Sequence, residues 1–401
     1  MESVDVAIIG GGIGGLTLAL ALQGTGVEAR VYERVSRFGP VGAGIQIAPN
    51  ASKLLYRLGL RERLEKAGVL PKAQIFSRWN DDSSLATTSL REVASTFGAP
   101  HVTIHRADLH QTLLDAIPQG VVETGAEIVK LDGQDGEPRL TFADGRQVKA
   151  QIVVGADGIH SVVRGAIAAD LPRYSGQSVF RGLVPADRIS NPRFLGNVNL
   201  WLGPDQHCGC YPISAGRTIS FAATLPLERS GRESWNEPGE IGDLLDAYSG
   251  WTSDLLHVFE AADAVSVWAL YDRAPLESFY SGRLALLGDA AHPMLPFLAQ
   301  GANQAVEDAV VLATCLQRLG ARENALIAYD AIRRARSSEI QATSLANNTR
   351  FHLPDGDEQR ARDAAFGSAG LSGVGRDKQQ WLYGYDAEDD AKGYLDHAEA
   401  R

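Results

Sequence analysis

Apolar and polar positions follow three different rhythms along this chain, and each rhythm predicts a different kind of element. The first is an apolar run that ends in small residues. Val6-Ala7-Ile8-Ile9 stops at Gly10-Gly11-Gly12-Ile13-Gly14-Gly15 and passes at once into Leu16-Thr17-Leu18-Ala19-Leu20. A β-branched run bounded by glycine predicts a buried strand, and the stretch after it predicts a helix. Ala29-Arg30-Val31-Tyr32-Glu33 is a second strand-like run, closing on an acid. The same rhythm returns at Ile152-Val153-Val154, which stops at Gly155-Ala156-Asp157-Gly158, and at Leu284-Ala285-Leu286-Leu287, which stops at Gly288-Asp289. The second rhythm is alternation. Ser178–Leu183, Asn197–Leu202, Gln206–Ile213 and Thr218–Thr224 predict antiparallel strands, followed by helices at 241–248 and 253–261 and a strand at Val265–Leu270. The third is helical, over about 300–319 and 322–346.

Shorter elements fill the gaps. Ile45–Ala48 predicts a strand, and Asn50 an N-cap for a helix through Leu58 that stops at Gly59. A strand is expected at 73–79, polar irregular chain at 80–100, a strand at Val102–His105 and a helix at Arg106–Ile117. Residues 139–149 read as a hairpin turning at Asp144-Gly145, and a helix beginning near Ser161 and Arg164 follows the second acid-bearing turn. The tail from Asn347 is polar, but Trp381-Leu382-Tyr383-Gly384-Tyr385 predicts that it packs back on the body.

Gly10, Gly12 and Gly15 satisfy G-x-G-x-x-G between strand and helix, with Ile13 and Gly14 in the intervening positions. Gly10 permits the tight turn, Gly12 admits a pyrophosphate to the backbone, and Gly15 lets helix and strand approach. The helix N-terminus adds free N–H donors and partial positive charge. Glu33, followed by Arg34, stands where an adenosine ribose needs an acceptor. Ligands of open α/β sheets bind beyond the carboxyl ends of the strands, and three such sites, near residues 10, 157 and 289, suit an extended dinucleotide. FAD fits that span better than a nicotinamide cofactor alone. Arg106 stands where strand meets helix and faces either a ligand or solvent.

Composition narrows the classes. The chain has 401 residues, 44% hydrophobic and 22% charged, which describes a globular protein of more than one domain. Its net charge of −11 disfavours nucleic acid or an anionic membrane as partner. Three cysteines make no disulfide framework, which suits the cytoplasm. No leader-like segment or long apolar span predicts export or membrane insertion.

The three motifs, with Gly288-Asp289-Ala290-Ala291-His292-Pro293 as the third, resemble those of single-component FAD-dependent aromatic hydroxylases, the para-hydroxybenzoate hydroxylase fold class. The likeness runs nearly end to end. Leu287–Asp308 and His352-Leu353-Pro354-Asp355-Gly356 are most similar to the salicylate hydroxylase, 3-hydroxybenzoate 6-hydroxylase and 6-hydroxynicotinate 3-monooxygenase branch. The resemblance implies an α/β protein with a Rossmann-like FAD-binding domain, a mostly antiparallel β substrate domain and C-terminal helices. The FAD-binding parts would be 1–72, 101–174 and 271–346, the substrate parts 73–100 and 175–270, and the packed tail 347–401. It implies that Glu33 binds ribose, that Arg106 and Asp289 contact the FAD, and that Asp157 supports its site and the use of NAD(P)H. Pro293 and Gly301-Ala302-Asn303 would line the isoalloxazine. The turn at 301–303 opens a helix, whose N–H groups suit negative charge on reduced flavin whatever the family.

The implied reaction adds one oxygen to an electron-rich ring, using NADH or NADPH and O2, with O2 adding at flavin C4a. A phenol reacts best as phenolate, and its ordinary pKa near 10 calls for a base or relay. In Gln206-His207-Cys208-Gly209-Cys210-Tyr211, strand alternation puts His207, Gly209 and Tyr211 on one face and both cysteines on the other. His207 and Tyr211, roughly 13 Å apart along a strand, are candidates to grip opposite ends of a ring, against a plain packing role. The same alternation splits the ligands a metal would need, so no metal is expected. His292 reads as a structural part of its turn. Gln46, Arg181, Trp201 and Pro296 are candidate substrate contacts, Arg181 for a carboxylate. Gln46 departs from the 6-hydroxynicotinate enzyme, which has a histidine there. The resemblance also allows a homodimer. Two alternatives stay open: an FAD-dependent oxidoreductase of the same fold without hydroxylation, and a non-catalytic FAD-fold binding protein. The W-x-W-x-I-P signature of a flavin halogenase is not found.

Overall fold

A computed structural model describes residues 2–39, 42–133, 136–226, 237–369 and 376–399. Pro40 and Val41 of the glycine-rich loop, and parts of the tail, lie outside the described residues.

The apolar runs assemble into one sheet. Strand Glu2–Ile9 lies between Gln147–Gly155 and Ala29–Glu33, all parallel, and Leu284–Leu286 pairs in parallel on the far side of Gln147–Gly155. The register sets Ile9 opposite both Gly155 and Tyr32, and Gly155 opposite Leu286. The three glycine-bearing turns therefore leave the sheet at one edge. Parallel strands buried on both faces need near-continuous apolar sequence, which is why these runs do not alternate.

A second sheet has the order 237–239, 265–272, 173–185, 218–226, 206–213, 197–203, 73–78, 84–89. It is antiparallel except where Asn197–Gly203 meets Ala73–Arg78. One of its faces packs on helices Ile241–Ala247 and Ser253–Glu260 around Trp201, Cys208, Cys210 and Phe221. Phe76 and Leu202 belong to an apolar cluster with Leu295, Phe297 and Phe351.

Several local expectations change. Residues 80–100 are not irregular: Ser84–Ser89 is an edge strand and Leu90–Phe97 a helix capped by Ser89, whose hydroxyl accepts from the Glu92 N–H. The edge strand pairs on one side only and is half exposed, so its sequence is polar. Asn50 is not an N-cap. The helix begins two residues earlier than that cap implies, at Pro49, with Ala48 as cap, because Pro49 presets the first helical φ. The helix expected at 322–346 runs from Glu323 to Phe351. The tail then carries helices Asp357–Ala369, Arg376–Tyr383 and Ala387–Glu399. Leu382 and Tyr383 are buried, as the aromatic segment predicted. Among the described residues no helix is long and apolar enough to cross a membrane.

Candidate active site

The first glycine turn is locked from beneath. Gly10 has φ +103°, and a Cβ there would lie 2.5 Å from the Ala156 carbonyl oxygen. A Cβ at Gly15 would overlap the Gly10 carbonyl, and one at Gly14 would lie 2.5 Å from Leu287. These glycines are close-approach sites for helix Ile13–Ala21, and Ile13 is itself buried in the core. Gly12 differs, because a Cβ there would meet nothing within 4 Å. The turn is open where an anion needs backbone, beside the free N–H groups of a helix N-terminus.

Gly12→Ala should therefore leave the melting temperature nearly unchanged while weakening FAD binding roughly ten-fold, about 1.4 kcal/mol. Gly15→Ala should instead cost about 1–3 kcal/mol of stability by overpacking. Thermal melts with flavin titration of both variants check the contrast.

Glu33 accepts from the N–H groups of Gly11 at 2.7 Å and Val35 at 2.9 Å, which fixes its carboxylate at the strand end with lone pairs to spare. Arg34 beside it is exposed. Asp157 turns inward: one oxygen accepts from the Val162 N–H at 2.7 Å, and burial raises its pKa. It braces the second turn. Asp289 is exposed but walled by protein, and that crowding raises its pKa against the pull of His292 and Arg106. A Cβ at Gly301 would lie 3.8 Å from an Asp289 oxygen, so this acid abuts the N-terminus of helix Gly301–Leu319.

That helix's ladder starts with Gln304 N–H to Gln300 carbonyl, which leaves the N–H groups of Gly301, Ala302 and Asn303 without intrahelical partners. The Asn303 side chain is committed to the protein. It accepts from Ala48 N–H at 2.7 Å and donates to the carbonyls of Gln46 and Ala299. An open glycine turn, a fixed acid, Asp289 under the positive field of Arg106, and a free helix N-terminus together fit an extended flavin dinucleotide.

Beneath the helix start lies a group of charges that the sequence did not reveal. Arg333 donates to Asp308 at 2.8 Å, Glu307 at 2.7 Å and Gln304 at 2.7 Å, and Arg336 binds Glu307. Asp308 also accepts from the Gly288 N–H at 2.9 Å and meets His292 at 2.5 Å. Asn50, displaced from its expected cap, donates to Glu307 at 2.6 Å and Gln300 at 3.1 Å. Arg336 reaches the carbonyls of Trp381 and Leu382, tying the tail to this group. Helix Glu323–Phe351 also holds the Pro293–Phe297 turn, because Gln341 donates to the Pro293 carbonyl, Ser344 to Leu295 and Asn347 to Phe297. The three-residue spacing of 341, 344 and 347 puts them on one helix face and is the signal that was there to find.

Next to the Pro296–Leu298 turn is a cavity with about 510 Å³ of unfilled space, part of it open to solvent. Gln46, His101, His207, Phe76, Phe297 and Phe351 are among its walls, with Pro296 at one side. His207 faces it as alternation predicted, with Cys208 and Cys210 in the opposite core. A Cβ at Gly209 would meet nothing within 4 Å, so the sheet surface beside His207 is open. Trp201 is a correction. It pairs with Cys208 across the strands, stacks on Phe194 and donates to Asp82 at 2.6 Å, all on the core face. Its neighbour Leu200 lines the cavity instead.

Tyr211 sits behind Gln46. Its hydroxyl donates to the Gly44 carbonyl at 2.7 Å, and burial pushes its pKa up to about 12, so it stays a phenol. Gln46 in turn meets His101 at 3.0 Å. Arg181 lies on the same sheet face as Leu200, in a cross-strand row with Ala222 and Gly209, but outside the cavity's lining. Its guanidinium stacks over Trp268 at 4.6 Å and its Nε is buried without a hydrogen bond. Among the described residues no carboxylate pairs with it.

Burial holds the imidazoles of His101 and His352 at about 4. As pH falls from about 6.5 the unfolded chain binds protons that the folded chain refuses, so stability drops through pH 6.5 to 4 and these two groups cost nothing further below that window. Melting temperature against pH checks this, and His101→Asn should flatten the curve between pH 6.5 and 4.

Residues 3–344 match the protein family described as FAD binding domain. A 3-amino-4-hydroxybenzoate 2-monooxygenase of Streptomyces platensis is 42% identical over 387 residues, covering 95% of this chain and 96% of the relative. A 6-hydroxynicotinate 3-monooxygenase of Pseudomonas fluorescens is 33% identical, covering 86% and 91%. Among solved structures, a salicylate hydroxylase substrate complex superposes with TM-score 0.82 at 27% identity over 98% of both chains. HpxO of Klebsiella pneumoniae, complexed with FAD and uric acid, does so with TM-score 0.80 at 25% identity over 98% of this chain and 96% of that one.

Proposed function

This chain belongs to the FAD-binding-domain family, in its aromatic hydroxylase branch, and from that premise we propose that its substrate is a phenol bearing a carboxylate, with an amino-hydroxybenzoate as the first choice. It is an FAD-dependent aromatic-ring monooxygenase. The observation that carries the substrate reading is one sheet face with a buried imidazole, His207, on the cavity wall and, two strands away, an arginine, Arg181, that has no carboxylate partner among the described residues. The 42% identity to the aminohydroxybenzoate enzyme supports the choice of ring.

Bound FAD would supply the electrophilic oxygen, drawn from O2 with NAD(P)H as the reductant. The chain does the rest. His207 takes the phenol proton, which makes the ring a better nucleophile. Arg181 holds the carboxylate over the small residues Ala222 and Gly209. Gln46, propped by Tyr211 and His101, meets a polar substituent at the other end. Phe297 and Phe351 keep water from the ring, and the N–H groups of 301–303 stabilise charge on the flavin. The roles of Glu33, Arg106, Asp157 and Asp289 toward FAD, and the division into FAD-binding and substrate parts, belong to the same reading. So does a cytoplasmic setting, which the three free buried cysteines support. A homodimer rests on the resemblance alone.

The test is NADH and NADPH oxidation by the FAD-loaded protein with 3-amino-4-hydroxybenzoate, 6-hydroxynicotinate, salicylate and 3-hydroxybenzoate, with products identified by mass. The expected result is one ring that accelerates oxidation and gains one oxygen. Loss of CO2 alongside would make the reaction decarboxylative. Acceleration by a ring that leaves unchanged in mass would favour an oxidoreductase without hydroxylation.

A further inference from the structure

His207 does not stand alone in the cavity wall. Its Nδ1 lies 2.8 Å from Nε2 of His352, a residue 145 positions later in the chain. The two rings are nearly parallel, 28° apart, with centroids separated by 5.0 Å. Thr224 completes the group from the neighbouring strand: its hydroxyl oxygen accepts from the His207 backbone N–H at 2.8 Å and lies 3.1 Å and 3.2 Å from the same two ring nitrogens. Phe297 and Phe351 press edge-on against His207. His352 sits just past the end of helix Glu323–Phe351, and its carbonyl accepts from the Asp205 N–H in the turn that starts the strand of His207.

A hydrogen bond between two neutral imidazoles needs a proton on one nitrogen and none on the other. A base at His207 needs a bare Nε2, which places its own proton on Nδ1 and makes Nε2 of His352 the acceptor across the 2.8 Å contact. The other His352 ring nitrogen, Nδ1, is buried without a hydrogen-bond partner. We propose that His352 is a positioning residue that holds His207 in the Nδ1–H tautomer, leaving its Nε2 bare to accept the substrate's phenolic proton. The proposal rests on the reading of His207 given above. When the phenol O–H breaks, its proton goes to His207 Nε2 while Nδ1–H stays bonded to His352, so the His207 ring gains one positive charge as the substrate ring gains one negative.

The groups that face this pair are few. Arg362, bonded to Asp363 and to the carbonyls of Arg350 and Phe351, is the charged group that acts on His352. Tyr248 donates to the His207 carbonyl, and Cys208 lies on the opposite strand face. Asp205 meets His352 through its backbone only.

The first test needs no substrate. Long-range proton–nitrogen NMR of the FAD-loaded, histidine-labelled protein, with the His207 signals assigned by a His207→Gln variant, reads the tautomer directly. The expected pattern is protonated Nδ1 and bare Nε2 in the parent, shifting toward protonated Nε2 in His352→Phe. A protonated Nε2 in the parent, or an unchanged tautomer in His352→Phe, overturns the proposal.

The second test uses the ring that gains oxygen in the panel above. His352→Phe should lower kcat/KM roughly ten-fold or more at pH 7, with the loss shrinking as pH rises toward the phenol's own pKa. His352→Gln, whose amide oxygen can accept from Nδ1–H, should recover most of it, and it serves as the informative variant if His352→Phe does not fold. A loss equal at every pH, or no recovery in His352→Gln, would mark a merely structural role. A bare Nε2 together with an unchanged pH profile in His207→Gln would instead overturn the reading of His207 as the base, and the NMR distinguishes that failure from a failure of the pairing.

Discussion

Arg333→Met is expected to cost the protein about 3–5 kcal/mol of stability, because it strips the partner from two buried carboxylates. Arg333, Glu307 and Asp308 have no exposed side-chain surface. The guanidinium divides its donors between the two acids and Gln304, which satisfies three neighbours at once. Methionine fills the volume and removes every donor. Arg336 still reaches Glu307, but Asp308 is left with the Gly288 N–H and His292. Those two contacts shape the turn that carries Asp289, so flavin affinity should fall with stability. Asp308 is now held down to about 2, against the pull of burial, mainly by His292 and Arg333. Its folded pKa lies below the ordinary value, so its contribution is present above about pH 4 and is lost as pH falls toward 2. Urea unfolding with and without FAD checks the expectation. Arg57→Met is the control: it breaks a surface pair with Asp386 and should cost about 1 kcal/mol or less. An Arg333→Met protein as stable as that control would refute the account.

His207→Gln is expected to lower kcat/KM by roughly 10²–10⁴-fold near neutral pH, the usual range for removing a positioned base. Glutamine keeps a polar group of similar length next to Thr224 and His352 and cannot take a proton. Flavin content and melting temperature should hold nearly constant, which separates chemistry from folding. The loss should shrink at high pH, where the substrate arrives as phenolate. A profile that falls by less than about five-fold across the range would remove His207 from the reaction and leave it a packing residue.

Much of this architecture was legible in local pattern. The strand–glycine–acid turns announce themselves because their requirements are local: a positive φ at Gly10 and backbone too close for a Cβ at Gly15. The face of His207 followed from a period of two along one strand. Alternation names two faces without saying which one the ligand uses, however. Trp201 was expected at the substrate and lies in the core, while Leu200 beside it lines the cavity. The tail's aromatic segment predicted its own burial, but not that Arg336 would receive its carbonyls.

By itself, then, the sequence determined the fold class, the family and the dinucleotide turns, because each rests on residues adjacent in the chain whose backbone conformation or periodicity is set within a few positions. Tertiary structure alone decided the buried Glu307–Asp308–Arg333–Arg336 group, the switch of Asn50 from cap to network, and the pairing of His207 with His352 across 145 residues. Acids and arginines at helical spacing read as a solvated face until another helix covers them. Whether a polar side chain is a surface group or a costly buried one depends on what packs over it, and that cost is set by the assembled interior rather than by the side chain's neighbours in sequence.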